Sequence, residues 1–224
     1  MRAVQSRAPL TRERILDAAL AVVDRDGLEG LSMRRLGAEL GVEAMALYRY
    51  IPNKDALLEA VLERVLSELP AEFPTTGTWQ GDIRGMFRIF LGVMRRHPRT
   101  IPLLSTMILT DPAVARPAAL VLAVLEGAGF DDLGALQALT TVTSAVVGFA
   151  LSEAGTAEAC AGLRERIATG EPLEDLAGLD PVVAALIPQL ANLDPDTTFE
   201  YGIDVILAGL EAKLALSGGR GSAP

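Results

Sequence analysis

Residues 31–54 read LSMRRLGAELGVEAMALYRYIPNK, and this run leaves few folds open. Ser32 stands where a helix N-cap is needed, its hydroxyl free to accept an N–H from the next turn. Leu36 and Leu40 fall four apart, on one face of a short helix. Gly41 follows, where a tight turn between two helices wants a positive φ. Val42, Ala46 and Leu47 then supply the inward stripe of a second helix, and Glu43, Ala44, Met45, Tyr48 and Arg49 its outward face. Asn53 caps a third helix, with Lys54 and Asp55 in its first turn. The spacing predicts a helix-turn-helix, with helices over 32–39 and 43–50.

The same reading extends along the chain. A helix over 11–25 carries Ile15, Ala18, Ala19 and Val22 inward and stops at Gly27. Another runs over 53–69 with a wide apolar face. Pro70 and the Pro74–Gly77 stretch break the pattern and mark a domain boundary. Beyond it the spacing predicts helices over 79–96, 101–109, 112–127, 131–154, 157–168, 179–192 and 195–217. No run of alternating β-branched residues argues for a sheet. The expected fold is all-α: a three-helix N-terminal domain with a linking helix over 11–69, then a helical body over 79–217. Residues 1–10 read as a loose arm, 169–180 as a turn-rich segment and 218–224 as a disordered tail.

A second helix presented at a sharp angle fits a DNA major groove. The net charge of −9 argues the other way until it is resolved along the chain. Residues 1–69 carry ten Lys/Arg against eleven Asp/Glu, and residues 70–224 ten against eighteen, so the acidity sits in the body. Phosphate contact needs only a local basic strip, which Arg34, Arg35, Arg49 and Lys54 can form. Three short amphipathic helices around a glycine turn also occur in proteins that never touch DNA, so periodicity alone leaves both readings open.

Three further features bear on setting. The single cysteine, Cys160, excludes a disulfide within the chain and suits a reducing cytoplasm. Arg2 and Arg7 are followed by no apolar core, so no signal peptide is expected. Residues 133–152 carry no charge over twenty positions, long enough to cross a bilayer. Gln137, Thr140, Thr141, Thr143 and Ser144 interrupt that run, and acidic residues bracket it. A helix buried in a core and a subunit interface is the expected reading, with no membrane contact.

The stretches TRERILDAALAVVDRDGLEGLSMRRLGAELGV and ALYRYIPNKDALLEAV resemble the N-terminal domain of the TetR family of bacterial repressors. Gly27, Gly41, Tyr48, Asn53 and Lys54 fall where that family has them. FEYGIDVILAGLEAKL (199–214) resembles the last helix of its tetracycline-repressor subgroup, and residues 79–153 do so more loosely. The resemblance implies that Arg34 reads a guanine, for which the arginine fork is suited. It implies that Tyr48 touches thymine methyls or backbone, and that Ser32, Arg35, Tyr50 and Lys54 lie at or beside phosphate contacts. Ala44 and Met45 depart from the subgroup's base-contacting residues and offer only apolar contact. The operator is therefore expected to differ from the tetracycline one, with Arg49 taking a larger share.

The effector side departs further. The subgroup holds a magnesium–drug complex with an imidazole, an amide and a carboxylate. The matching positions here are Leu104, Met86 and Ser152, none a ligand for a hard cation. His97, the single histidine, reads as a helix C-terminal cap rather than a metal ligand. No metal, cofactor or magnesium–tetracycline binding is expected. A small apolar effector is expected instead, lined by Met86, Phe90, Leu104, Met107, Val121 and Thr143, each of which also suits plain core packing.

Phe199, Ile203, Ile206, Leu207, Leu210 and Leu214 form one stripe along the last helix. It suits packing within a subunit or a twofold seam. The resemblance implies the seam, a homodimer joined through Ile203, Ile206, Leu207, Leu210 and Leu214 with Leu139 and Val146. Two heads one DNA turn apart, about 34–36 Å, demand a near-palindromic double-stranded operator. The expected function is a cytoplasmic, ligand-responsive repressor. An activator of the same build is the near alternative. An all-helical enzyme would need a convergent set of titratable groups, which one His and one Cys do not provide. A helical scaffold would lack a ligand cavity.

Overall fold

The computed structural model describes residues 9–105, 109, 111–171 and 178–218. Met107 and most of the expected arm and tail lie outside them, as do 172–177 of the turn-rich segment. Among the described residues no strand occurs. The helices are α1 (Arg12–Gly30), α2 (Met33–Leu40), α3 (Ala44–Leu47), α4 (Lys54–Leu66) and α5 (Trp79–Arg96). After a 3-10 turn at Pro98–Thr100 come α6 (Ile101–Leu104), α7 (Pro112–Gly127), α8 (Asp132–Thr169), α9 (Pro181–Ala191) and α10 (Pro195–Gly218).

The chain forms two compact units, one within Met1–Phe73 and Gly92–Leu120, the other within Pro74–Leu91 and Val121–Pro224. The first gathers more chain than a boundary near 70–78 assigns it. In that unit α1 packs on α2, α4 and the 3-10 turn, and α4 packs on α6. Ile15, Val22, Leu36, Leu47, Leu57 and Leu62 have no exposed surface and form its centre. Val93, Met94 and Ile101 are buried in the same unit and hold the end of α5 and α6 to it. In the second unit α8 packs against α9 and α10. Phe149 of α8 meets Phe199 of α10 with ring centroids 5.6 Å apart, and Trp79 meets Phe130 edge-on at 5.6 Å.

Several boundaries differ from the sequence reading. Gly27 does break the first helix, at φ 77° and ψ 175°, and a short second helical stretch follows it to Gly30 within α1. The second helix of the pair ends at Leu47, not 50. Tyr50 and Ile51 both donate backbone N–H to the Leu47 carbonyl (2.9 and 3.0 Å), and Pro52 bars Ile51 from the helical region. α4 ends at Leu66 rather than 69, because its last residues tighten into i→i−3 bonds, Glu68 to Val65 and Leu69 to Leu66. The helix expected over 101–109 ends at Leu104.

Residues expected as two helices, 131–154 and 157–168, form the single 38-residue α8. Gly155 keeps a negative φ, and Thr156 turns its hydroxyl back onto the Ser152 carbonyl at 2.8 Å. α8 is long and apolar enough to cross a bilayer by length and composition, with a third of its most apolar window buried. Its buried stripe is Ala135, Ala138, Leu139, Val142, Val146 and Ala150. One face is thus covered within the chain, not nearly all sides.

Caps fall where the sequence puts them. Asn53 accepts from Ala56 N–H at 2.8 Å and Asp131 from Gly134 N–H at 2.8 Å. Asn53→Ala is expected to cost about 1 kcal/mol. A shifted urea midpoint at unchanged slope is the measurement, with no shift as the contrary result.

Candidate nucleic-acid interface

The reading unit is built by two local choices. Ser32 accepts from Arg35 N–H at 3.2 Å and starts α2. Gly41, at φ 67° and ψ 36°, ends it in the left-handed region. Leu36, Leu40, Leu47 and Ile51 are buried and fix α2 and α3 to the unit's core. One further residue sets the approach of the two helices. A Cβ on Gly37 would stand 2.8 Å from the Val42 carbonyl oxygen and 3.2 Å from the Ala44 nitrogen. The sequence reading passed over Gly37, although a glycine inside a short amphipathic helix is the signal of a close backbone approach.

That scaffold leaves Ser32, Arg34, Arg35, Met45, Tyr48, Arg49, Tyr50 and Lys54 exposed, with Met45 at 75% and Ala44 half-buried. The charges on this surface are unequal. Arg34, Arg49 and Lys54 hold no ion pair among the described residues. Arg35 is tied to Asp26 at 2.6 Å, and Asp26 also takes Arg25 at 2.8 Å. Arg12 pairs with Glu63 and Arg64 with Asp17. Of the basic strip expected from sequence, three members stand free and Arg35 instead braces α2 against α1. Tyr50 is also committed: its hydroxyl donates to the Leu10 carbonyl at 2.8 Å and fastens the start of the described chain to this unit. Three uncompensated cations around an exposed methionine and tyrosine can meet phosphates and base edges.

Comparison with known proteins agrees with this geometry. Residues 15–61 match the family described as bacterial regulatory proteins, tetR family. Residues 69–214 match the tetracyclin repressor-like C-terminal domain. The chain belongs to the TetR family. A relative in Streptomyces coeruleorubidus, the HTH-type transcriptional repressor DrrR1, is 36% identical over 230 residues, 98% of this chain and 84% of that protein. The tetracycline repressor protein class A of Escherichia coli is 32% identical, over 88% of each chain. The structure of the TetR family protein ActR of Streptomyces coelicolor in complex with actinorhodin aligns with a TM-score of 0.76 at 27% identity, covering 92% of this chain and 99% of that one. TetR-family proteins are transcriptional regulators, so this one is a DNA-binding regulator and not an enzyme.

The residues expected to line an effector site are divided between the units. Met86, Phe90, Val121 and Thr143 belong to the second and Leu104 to the first. Met86 and Val121 are buried, while Phe90, Leu104 and Thr143 are half-buried. Phe90 meets Phe87 edge-on at 6.2 Å. The seam residues divide too. Leu139, Val146, Ile203 and Leu207 are already buried within one copy, and Ile206, Leu210 and Leu214 are half-buried. The apolar residues that α10 leaves uncovered are others: Tyr201 at 73%, Val205 at 56% and Leu216 at 68% exposure. Side chains two apart, such as Ile203 and Val205, fall on different faces, and periodicity cannot say which face the chain itself covers.

His97 does not cap a helix with its ring. Nδ1 lies 2.9 Å from Asp24 Oδ2 and Nε2 3.0 Å from Glu68 Oε1, so two carboxylates took the ring before any carbonyl could. Burial alone would raise the Glu68 carboxyl. Hydrogen bonds from Arg96 and His97 outweigh it and hold the group below its ordinary range. In the second unit a hydrogen bond from Arg88, against burial and with help from Arg84, holds Glu200 of α10 low as well. A carboxyl lowered by folding stabilises above its unfolded pKa, and that stability is lost as pH falls through the folded value. Acid unfolding of Glu200→Gln is therefore expected to start from a lower stability at neutral pH and to fall less steeply below the ordinary carboxylate range. Parallel curves for parent and variant would contradict this.

Proposed function

We propose that this TetR-family regulator is a homodimeric repressor that binds a near-palindromic operator and is released by a small apolar effector. The observation that carries the DNA side is the trio of unpaired cations, Arg34, Arg49 and Lys54, on a unit whose neighbouring arginines are neutralised. Arg34 reads a base edge, Arg49 and Lys54 hold phosphates, Met45 and Ala44 give apolar contact to thymine methyls, and Tyr48 packs beside them. Ser32 adds its exposed hydroxyl. Arg35 and Tyr50 act one step back, holding α2 and the start of α1.

The exposed stripe Tyr201, Val205 and Leu216 of α10, with Leu133, Leu136 and Leu151 of α8, supports association of two copies. Ile206, Leu210 and Leu214 flank it. Met86, Phe90, Val121 and Thr143, all of the second unit, are the residues assigned to an apolar lining, and none carries a charge for a hard cation. ActR is bound to actinorhodin in its solved structure, and a small-molecule effector is what carries over to this chain. Work on DNA and a single cysteine suit the cytoplasm.

Selection of duplexes from a random pool by the purified protein tests this directly. The expected product is an inverted repeat with half-sites about 10 base pairs apart, centre to centre, bound by two chains. No enrichment, or a single half-site bound by one chain, would overturn it. In the same assay Arg34→Ala is expected to relax one base position in each half-site, at about 1–3 kcal/mol of lost discrimination. Unchanged selectivity would remove Arg34 from base reading.

A further inference from the structure

Five consecutive residues, Arg96 to Thr100, put two arginines and a histidine onto the reading domain's own helices. His97 spans Asp24 of α1 and Glu68 just past α4, at 2.9 and 3.0 Å. Arg96 meets the same Glu68 carboxylate at 2.8 Å. Arg99 donates to the backbone carbonyl of Arg25 in α1. The Thr100 hydroxyl, fully buried, donates to the His97 carbonyl at 2.8 Å and fixes the turn from within.

The chemistry of this cluster is demanding. Ionised carboxylate oxygens only accept, so the His97 ring satisfies both partners only with both nitrogens protonated. The ring is 13% exposed. Asp24 Oδ1 is closed to solvent and has no partner at all. His97 is thus the side chain that meets the Asp24 carboxylate, at Oδ2, and loss of that ring removes the contact.

The position of the cluster gives it a role. α5 is one continuous helix whose Trp79–Leu91 portion lies in the second unit and whose Gly92–Arg96 end lies in the first. From Arg25 the network runs on to Glu39 of α2 at 3.3 Å and to Asp26, which holds Arg35 of α2. A polar chain thus links the end of α5, through α1, to the first helix of the reading pair. We propose that His97, with Arg96 and Arg99, is a positioning clamp that, within the first unit, holds the reading helices to the end of α5 by gripping α1 and the end of α4. The inference rests on the DNA-binding reading above for its consequence, but not for the clamp itself.

Hydrogen exchange and duplex affinity, measured on full-length parent, His97→Gln, Asp24→Asn and Glu68→Gln, test it. The expected result is exchange at least about tenfold faster over residues 20–40, unchanged protection in α8 and α10, and about tenfold weaker binding to the selected duplex. Unaltered protection over 20–40 overturns the clamp. Faster exchange there with parental affinity overturns its positioning role, and uniform loss of protection in both units reduces it to general stability. Asp24→Asn keeps the side chain's shape, so the same outcomes decide the matter if the His97 variant does not fold. Absence of duplex binding by the parent refutes the DNA reading, while the exchange result still stands for the clamp.

Discussion

Gly37→Val is expected to abolish operator binding while the body stays folded. The Cβ alone would press on the Val42 carbonyl at 2.8 Å and on Ala44 at 3.2–3.3 Å, all backbone atoms that cannot rotate aside. Two further methyl groups widen the clash. Relief requires α2 and α3 to separate, at a cost of about 1–3 kcal/mol in the reading unit. The larger effect falls on recognition. Arg34 sits on α2 and Met45 on α3, so a change in their crossing takes the two proposed base-facing groups out of register. An affinity loss of about 100-fold or more is the expected reading, since displacement removes several contacts together. Retained affinity would mean that the helices do not read DNA as a fixed pair.

The second large effect separates the two faces of α10. Ile203 is 2% exposed within a single copy and faces the second unit's core, whereas Val205 is 56% exposed. Ile203→Ala is expected to cost about 2–4 kcal/mol of stability, through lost burial and the cavity left behind. Val205→Glu is expected to leave the fold intact and, if the proposed seam joins two copies, to convert dimer to monomer, because a charge there must be desolvated to associate. Analytical ultracentrifugation beside thermal unfolding distinguishes the two. If Ile203→Ala dissociates the protein without lowering the stability of the fold, the assignment of faces is reversed.

Local signals carried most of the fold. Ser32, Gly41, Asn53 and Asp131 act at the helix ends where their side chains or backbone freedom place them, since capping is decided within four residues. The limits of local reasoning show at Gly155 and Leu47. Gly155 permits a break but does not require one, and its neighbours keep the helix. α3 stops early as the residues after Leu47 tighten, Tyr50 bonding the Leu47 carbonyl three residues back, a change that helical periodicity does not register.

The site was legible by residue type but not by partner. Arg34, Arg35, Arg49 and Lys54 look alike in sequence, and only the fold brings Asp26, nine residues away, onto Arg35. Tyr50 likewise meets Leu10 across forty residues. His97 finds one carboxylate in α1 and one beyond α4, which no spacing rule within its own helix reveals. The family match gives the activity class, and the pairing pattern supports the residues proposed for it.

The salt dependence of affinity for the selected duplex tests the central claim most directly. If Arg49 and Lys54 of each of two heads hold phosphates, log affinity falls linearly with log salt, at a slope near −4 or steeper by about −0.9 for each phosphate. Replacing both with alanine should flatten that slope, and replacing the paired Arg64 should not. No binding at low salt, or a slope untouched by loss of the unpaired cations, would contradict the account.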